Sequence, residues 1–222
     1  MKTIVRFITI LLLLCIPFSL SSESLDYIGF SIGGDFSGKT TVFYDGNEWE
    51  SNRASVDLLM DLLVYFNSES SDIRFGSGFS LGCGFPVYYV TGFGTVEGKK
   101  PIAIYGKASA EIAYFLNDKT AIEQKIGVSI RVDQLDFSSN YNEVGLSSPT
   151  RIMNSSILGL WGASIRHELF DGVVLRGGIE MSFSILEYLD SFQGPAIVNK
   201  YMGMHKGSRT SCMPYLSLLF SY

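Results

Sequence analysis

His205 is followed closely by Ser208 and Ser211, and a serine beside an imidazole is the smallest pair that could do nucleophilic acyl transfer, the histidine taking the proton as the hydroxyl attacks. The pair alone is not enough. No acid stands at a spacing that would orient the imidazole, and no motif surrounds either serine, so the sequence predicts no catalytic residue. His167, the second of the two histidines, sits beside a turn signal and reads as an interfacial residue. Metal chemistry has no better footing, because no run of His, Cys, Asp and Glu has ligand spacing. Nothing in the chain calls for a cofactor.

What the chain does carry in quantity is charge at alternating positions. Asp57, Asp61, Glu111, Glu123, Glu168 and Glu180 stand against Arg74, Lys107, Lys125, Arg131, Arg166 and Arg176, six acids and six bases. Each lies on the polar phase of a segment whose other phase is apolar. On a helix Asp57 and Asp61 would share one face and repel; on a strand they simply belong to the polar side, as the rest of the pattern does. Charges matched this evenly, with glycines and serines between them, predict a packed lumen in which each charge finds a partner, rather than a wide pore lined by one sign. A gated or narrow polar conduit is the alternative use of the same residues.

Eight segments must position these charges. They are Asp26 to Phe36, Ser55 to Phe66, Ile73 to Cys83, Ile102 to Leu116, Thr120 to Val132, Ser155 to Leu169, Val173 to Leu186 and Pro214 to Tyr222. In the first, Ile28, Phe30 and Ile32 alternate with Gly29, Ser31 and Gly33; in the last, Leu216, Leu218 and Phe220 keep one phase. Period-two alternation of this kind marks strands with one apolar face. Short turn signals (residues 67–72, Asn117-Asp118-Lys119 and Phe170-Asp171-Gly172) separate longer connections at Ser37 to Ala54, Gly84 to Pro101, Asp133 to Asn154 and Glu187 to Ser208. An even number of strands of roughly 9–11 residues, with short and long links in turn, predicts an all-β fold, an eight-stranded antiparallel up-and-down transmembrane β-barrel. Its apolar phase would face lipid and its charges the lumen. Phe66, Phe75, Tyr114 and Tyr222 fall near the short-turn ends, as a periplasmic aromatic girdle would.

A soluble barrel with the apolar phase inside is the rival fold. It would leave the small residues of the polar phase on a solvated surface, where a crowded lumen suits them better. Cys83 and Cys212 lie on the apolar phase at the loop ends of strands with two others between them, too far apart around a barrel for a disulfide.

The N-terminus sets the compartment. Lys2 and Arg6 precede an apolar run from Ile8 to Cys15, and Ser19 and Ser21 are the small residues that signal peptidase needs before a cut ahead of Ser22. Residues 1–21 therefore read as a signal peptide and 22–222 as the barrel. The apolar run is shorter than the roughly 20 residues of a membrane-spanning helix, and Leu14 before Cys15 is too large for a lipoprotein site. Cleavage would leave 15 basic against 22 acidic residues, a net charge of −7, which makes nucleic acid an unsuitable partner.

The run Tyr27-Ile28-Gly29-Phe30-Ser31-Ile32-Gly33-Gly34 directly after a signal peptide, together with the terminal Phe220-Ser221-Tyr222, resembles the first and last strands of small outer-membrane barrels of the OmpA, OmpX and OmpW kind. The resemblance implies a bacterial outer-membrane location, outer-membrane lipid as surroundings, and Phe220 and Tyr222 as a signal read by the barrel assembly machinery. It implies no catalytic residue. Members of that family anchor, adhere and resist host defences, or pass small hydrophobic molecules. The long connections hold Tyr88, Tyr89, Phe93, Tyr201 and Met202, more apolar than solvated loops usually are. They are the expected contacts for a host or other surface ligand, with a conduit for small hydrophobic molecules as the alternative.

Overall fold

The computed structural model describes residues 26–44, 47–66, 72–91, 94–95, 102–136, 151–193, 203–206 and 210–221. The strands are β1 (Tyr27–Tyr44), β2 (Asn47–Tyr65), β3 (Ile73–Thr91), β4 (Gly94–Thr95), β5 (Ala103–Asn117), β6 (Thr120–Asp136), β7 (Arg151–Phe170), β8 (Val173–Gln193), β9 (Gly203–Lys206) and β10 (Thr210–Ser221). β4 pairs with the end of β3 and β9 with the end of β8. The other eight are the staves of the barrel. Each pairs antiparallel with its neighbour in sequence, and β10 returns to pair with β1, with Ile28 opposite Phe220 and Ile32 opposite Leu216. The sheet closes on itself and leaves no free edge along the staves, the one way in which a sheet can satisfy its backbone in lipid.

Two of the three short links have the chemistry their sequences foretold, and residues 67–71 of the third lie outside the described residues. The Asn117 side-chain oxygen accepts the backbone N–H groups of Lys119 (3.0 Å) and Thr120 (2.9 Å), an Asx turn that reverses β5 into β6. Gly172 turns β7 into β8 with φ = +74°, a left-handed conformation that costs glycine little and most other residues more. Its carbonyl also accepts the Ser221 N–H at 2.8 Å, which ties the last stave to this hairpin.

The staves run longer than the alternating pattern implied. Ser37 to Ala54, expected as a long loop, is mostly strand: Thr40 to Tyr44 pairs with Asn47 to Ser51 beyond a register shift. β3 likewise continues to Thr91, β6 to Asp136 and β8 to Gln193. A stave needs roughly 9–11 residues to cross the membrane, whereas β1 and β2 have 18 and 19, so their far ends project beyond it. Beyond the membrane no lipid face imposes an apolar phase on a strand pair, and that is why alternation could not reveal it.

The polarity is inside out. Phe30, Leu58, Ile104, Ile126, Ile179, Met181 and Leu218 point outward and are exposed, Ile126 to 66%. Asp57, Glu111, Glu123, Arg131, Arg166, Arg176 and Glu180 point inward and are buried. An apolar surface around the whole barrel is far beyond the isolated patch that a water-soluble monomer tolerates, and it fits hydrocarbon. Ile126→Arg should therefore lower stability by about 2–4 kcal/mol in a bilayer, measured by urea unfolding in lipid vesicles. An unchanged midpoint would mean that this face does not meet lipid.

Candidate functional site

The lumen holds the chemistry, and it is layered. At the short-turn end lies an apolar floor of Leu63, Tyr65, Ala113, Ala121, Val174 and Leu219, with Tyr27 and Phe115 packed on it. Tyr27 and Tyr65 meet edge to face at 6.4 Å. The Arg166 guanidinium sits 4.6 Å from the Tyr27 ring centre and 5.5 Å from that of Phe115, and donates to the Tyr65 hydroxyl at 3.1 Å. Arg74 stacks 4.2 Å over Phe115. Cations over aromatic faces close this end without leaving either guanidinium in bare hydrocarbon.

Above the floor, Glu123 lies at the centre of the ion pairs. Its carboxylate accepts from the Tyr65 hydroxyl (2.9 Å) and from Ser164 (3.0 Å), and pairs with Arg176 at 2.6 Å and Arg166 at 3.6 Å. Arg176 reaches on to Glu111 at 2.6 Å. Glu180 takes both lysines, Lys125 at 2.8 Å and Lys107 in close contact. Asp61 differs: Ser31 and Ser80 donate to it, and no ion pair joins it among the described residues. Near the far end Arg131 is gripped by Asp35 (3.0 Å), Asp133 (3.1 Å) and Asp57 (3.3 Å). Gly84 makes this possible, since a Cβ there would stand 2.6 Å from an Asp57 oxygen and 2.9 Å from Nη2 of Arg131.

The structure thus brings most of the twelve expected lumen charges together, with differences. Glu168 is only half-buried, at the short-turn rim, and has no ion pair among the described residues. Asp35, Asp133 and Glu187 are buried inward-facing acids absent from the expected set. The last two fell in segments assigned to loops, and longer staves turn them inward. The apolar floor was also missed. Its signal is the doublets Leu62-Leu63, Val173-Val174 and Leu218-Leu219, because two consecutive apolar residues on a strand put one on each face.

Among the described residues the lumen shows two small cavities of about 20 Å³ each, one beside Asp61, Ser80 and Ser217, the other beside Asp35, Tyr105 and Ser211, and both border Lys107, Glu180 and Met213. Each has room for about one water molecule.

Ser211 shares a hydrogen bond with Ser182 at 2.6 Å, and the His205 backbone pairs with Glu187 in the β8–β9 ladder. His167 Nδ1 meets the Thr120 hydroxyl at 2.9 Å on the exposed rim. Cys83 and Cys212 are free thiols, each partly covered. Among the described residues no three His, Cys, Asp or Glu side chains gather as metal ligands would. Tyr88 and Tyr89 lie on the β3 extension, opposite Ala54 and Arg53. Phe93, Tyr201, Met202, Ser208, Tyr222 and residues 1–21, expected as a signal peptide, lie outside the described residues. Phe220 faces outward on β10, opposite Ile28.

Closure, an apolar exterior and a charge-paired interior define a small eight-stranded transmembrane β-barrel, the architecture of outer-membrane barrels. No model of a known protein family and no curated protein matches the chain. Among solved structures it is similar to Ail, the attachment invasion locus protein of Yersinia pestis (13% identity, TM-score 0.45, covering 90% of this chain and 100% of that one). It is also similar to Neisserial surface protein A (10%, 0.45, covering 87% and 97%) and to a major outer membrane protein of Thermus thermophilus (11%, 0.45, covering 88% and 99%). At such identities the likeness concerns the fold alone, and the barrel is read from the chain's own strand pairing.

Proposed function

We propose that this chain is an integral, non-enzymatic protein of the bacterial outer membrane, whose strand extensions and long connections make contacts outside the cell. One observation carries the reading: among the described residues the lumen is filled, with an apolar floor, linked ion pairs and cavities of about 20 Å³, while β1 and β2, at 18 and 19 residues, are longer than a membrane crossing needs. A filled lumen supports an anchor. The projecting segments are then the parts free to meet a host or other surface ligand, and outer-membrane lipid and the barrel assembly machinery are the partners that such an anchor needs.

The test replaces Tyr88, Tyr89, Tyr201 and Met202 by serine in cells that display the full chain. Adhesion to coated surfaces should fall to the level of cells lacking the protein, with uptake of small hydrophobic solutes unchanged. Reduced uptake with adhesion intact would instead support a conduit for such molecules, and no change in either would remove these residues from the function.

A further inference from the structure

The ladder that closes the barrel has one gap. β1 and β10 pair in a single register from Tyr27–Ser221 to Gly33–Tyr215, and again at Phe36–Cys212 and Ser37–Ser211, but the pairs Gly34–Pro214 and Asp35–Met213 between them are missing. Among the described ladders this is the one interruption that leaves the register unchanged; the others are bulges. Its cause is chemical. The Pro214 carbonyl points towards β1, 3.1 Å from where a Cβ on Gly33 would stand, so the missing N–H of Pro214 is on that same side. The Gly34 carbonyl therefore has no ladder donor. Proline is rare inside paired strands for this reason, and a backbone carbonyl without a partner is costly next to lipid.

The unpaired carbonyl lies between the lipid face and a cavity. On the lipid side Gly34 brings no side chain, and the wall is completed by the Pro214 ring and by the Phe36 ring, which lies 3.1 Å from where a Gly34 Cβ would be. On the lumen side Asp35 and Met213, the residues of the second missing pair, border one of the water-sized cavities with Ser182 and Ser211. Counted outward from Ile28, Gly34 is the fourth lipid-facing position and Phe36 the fifth, so the gap lies towards the far end of a span of roughly 9–11 residues.

We propose that this is a lateral window: β1 and β10 part locally at Gly34 and Pro214 and let water pass between the outer membrane interface and the cavity behind Asp35 and Met213, while the rest of the seam stays paired. The proposal needs the membrane barrel and is independent of what the loops bind.

Residue-resolved amide hydrogen exchange of the folded full chain in phospholipid nanodiscs tests it. The amides of Gly34, Phe36 and Cys212 should exchange at least about tenfold faster than those of Val128 to Ile130, whose β6–β7 ladder is unbroken. Pro214→Ala supplies the missing donor and should slow those three by about tenfold while leaving Val128 to Ile130 unchanged. Phe36→Ala, which uncovers Gly34 from the lipid side, should speed the same three several-fold, and it provides the second test if the alanine variant does not fold. Wild-type protection equal to that of Val128 to Ile130, or exchange indifferent to both substitutions, overturns the window.

Discussion

Replacing Arg131 by methionine should lower the free energy of unfolding by about 3–5 kcal/mol. The methionine fills similar volume, so the loss is electrostatic rather than a cavity. Arg131 is in contact with Asp35, Asp57 and Asp133, all buried, and its removal leaves carboxylates next to one another without their shared cation. Ser55 still donates to Asp57 at 2.6 Å, but a hydroxyl does not replace a charge. Urea unfolding in lipid vesicles, followed by tryptophan fluorescence, measures the effect. A change below about 1 kcal/mol, the value of an exposed pair, would show that water reaches and screens this cluster.

Glu123→Arg should do more and abolish folding. Glu123 is 1% exposed, accepts hydrogen bonds from Tyr65 and Ser164, and forms ion pairs with Arg166 and Arg176. An arginine there sets three guanidiniums together and removes the acceptor that all four groups share, so several interactions fail at once and their costs are not independent. The expected readout is loss of the folded, heat-modifiable band on gels after refolding into detergent. Glu123→Gln keeps the shape and one acceptor oxygen, and should give a folded but less stable barrel. A folded yield of the arginine variant equal to wild type would contradict the inward placement of this residue.

Strand number, closure and the inside–outside assignment were legible in the sequence because one physical rule produced them. Where a stave has lipid on one side and a crowded lumen on the other, alternation is strict, and Ile28, Phe30 and Ile32 announce their face. The rule loses its grip at both ends. Above the membrane no lipid face imposes alternation on the β1–β2 extension, so residues 37–54 read as loop, and Asp133 and Glu187 read as loop with them. At the short-turn end the lumen is apolar, so Leu63, Val174 and Leu219 broke the alternation that elsewhere marked the interior. Charge identity showed that Arg176 and Glu123 belonged inside; which acid each base takes depends on register and shear, which a single strand does not encode. Asp61 shows the limit, since its serine partners come from β1 and β3 and replace the ion pair that a matched count of charges suggested.

Whether the barrel spans the membrane with its lumen filled is decided by single-channel recording of the purified, folded full chain in a planar lipid bilayer. A floor of Leu63, Val174, Leu219 and stacked aromatics below linked ion pairs predicts insertion with no steady open state above the bilayer's own leak. A large and stable conductance from the wild-type protein would contradict it.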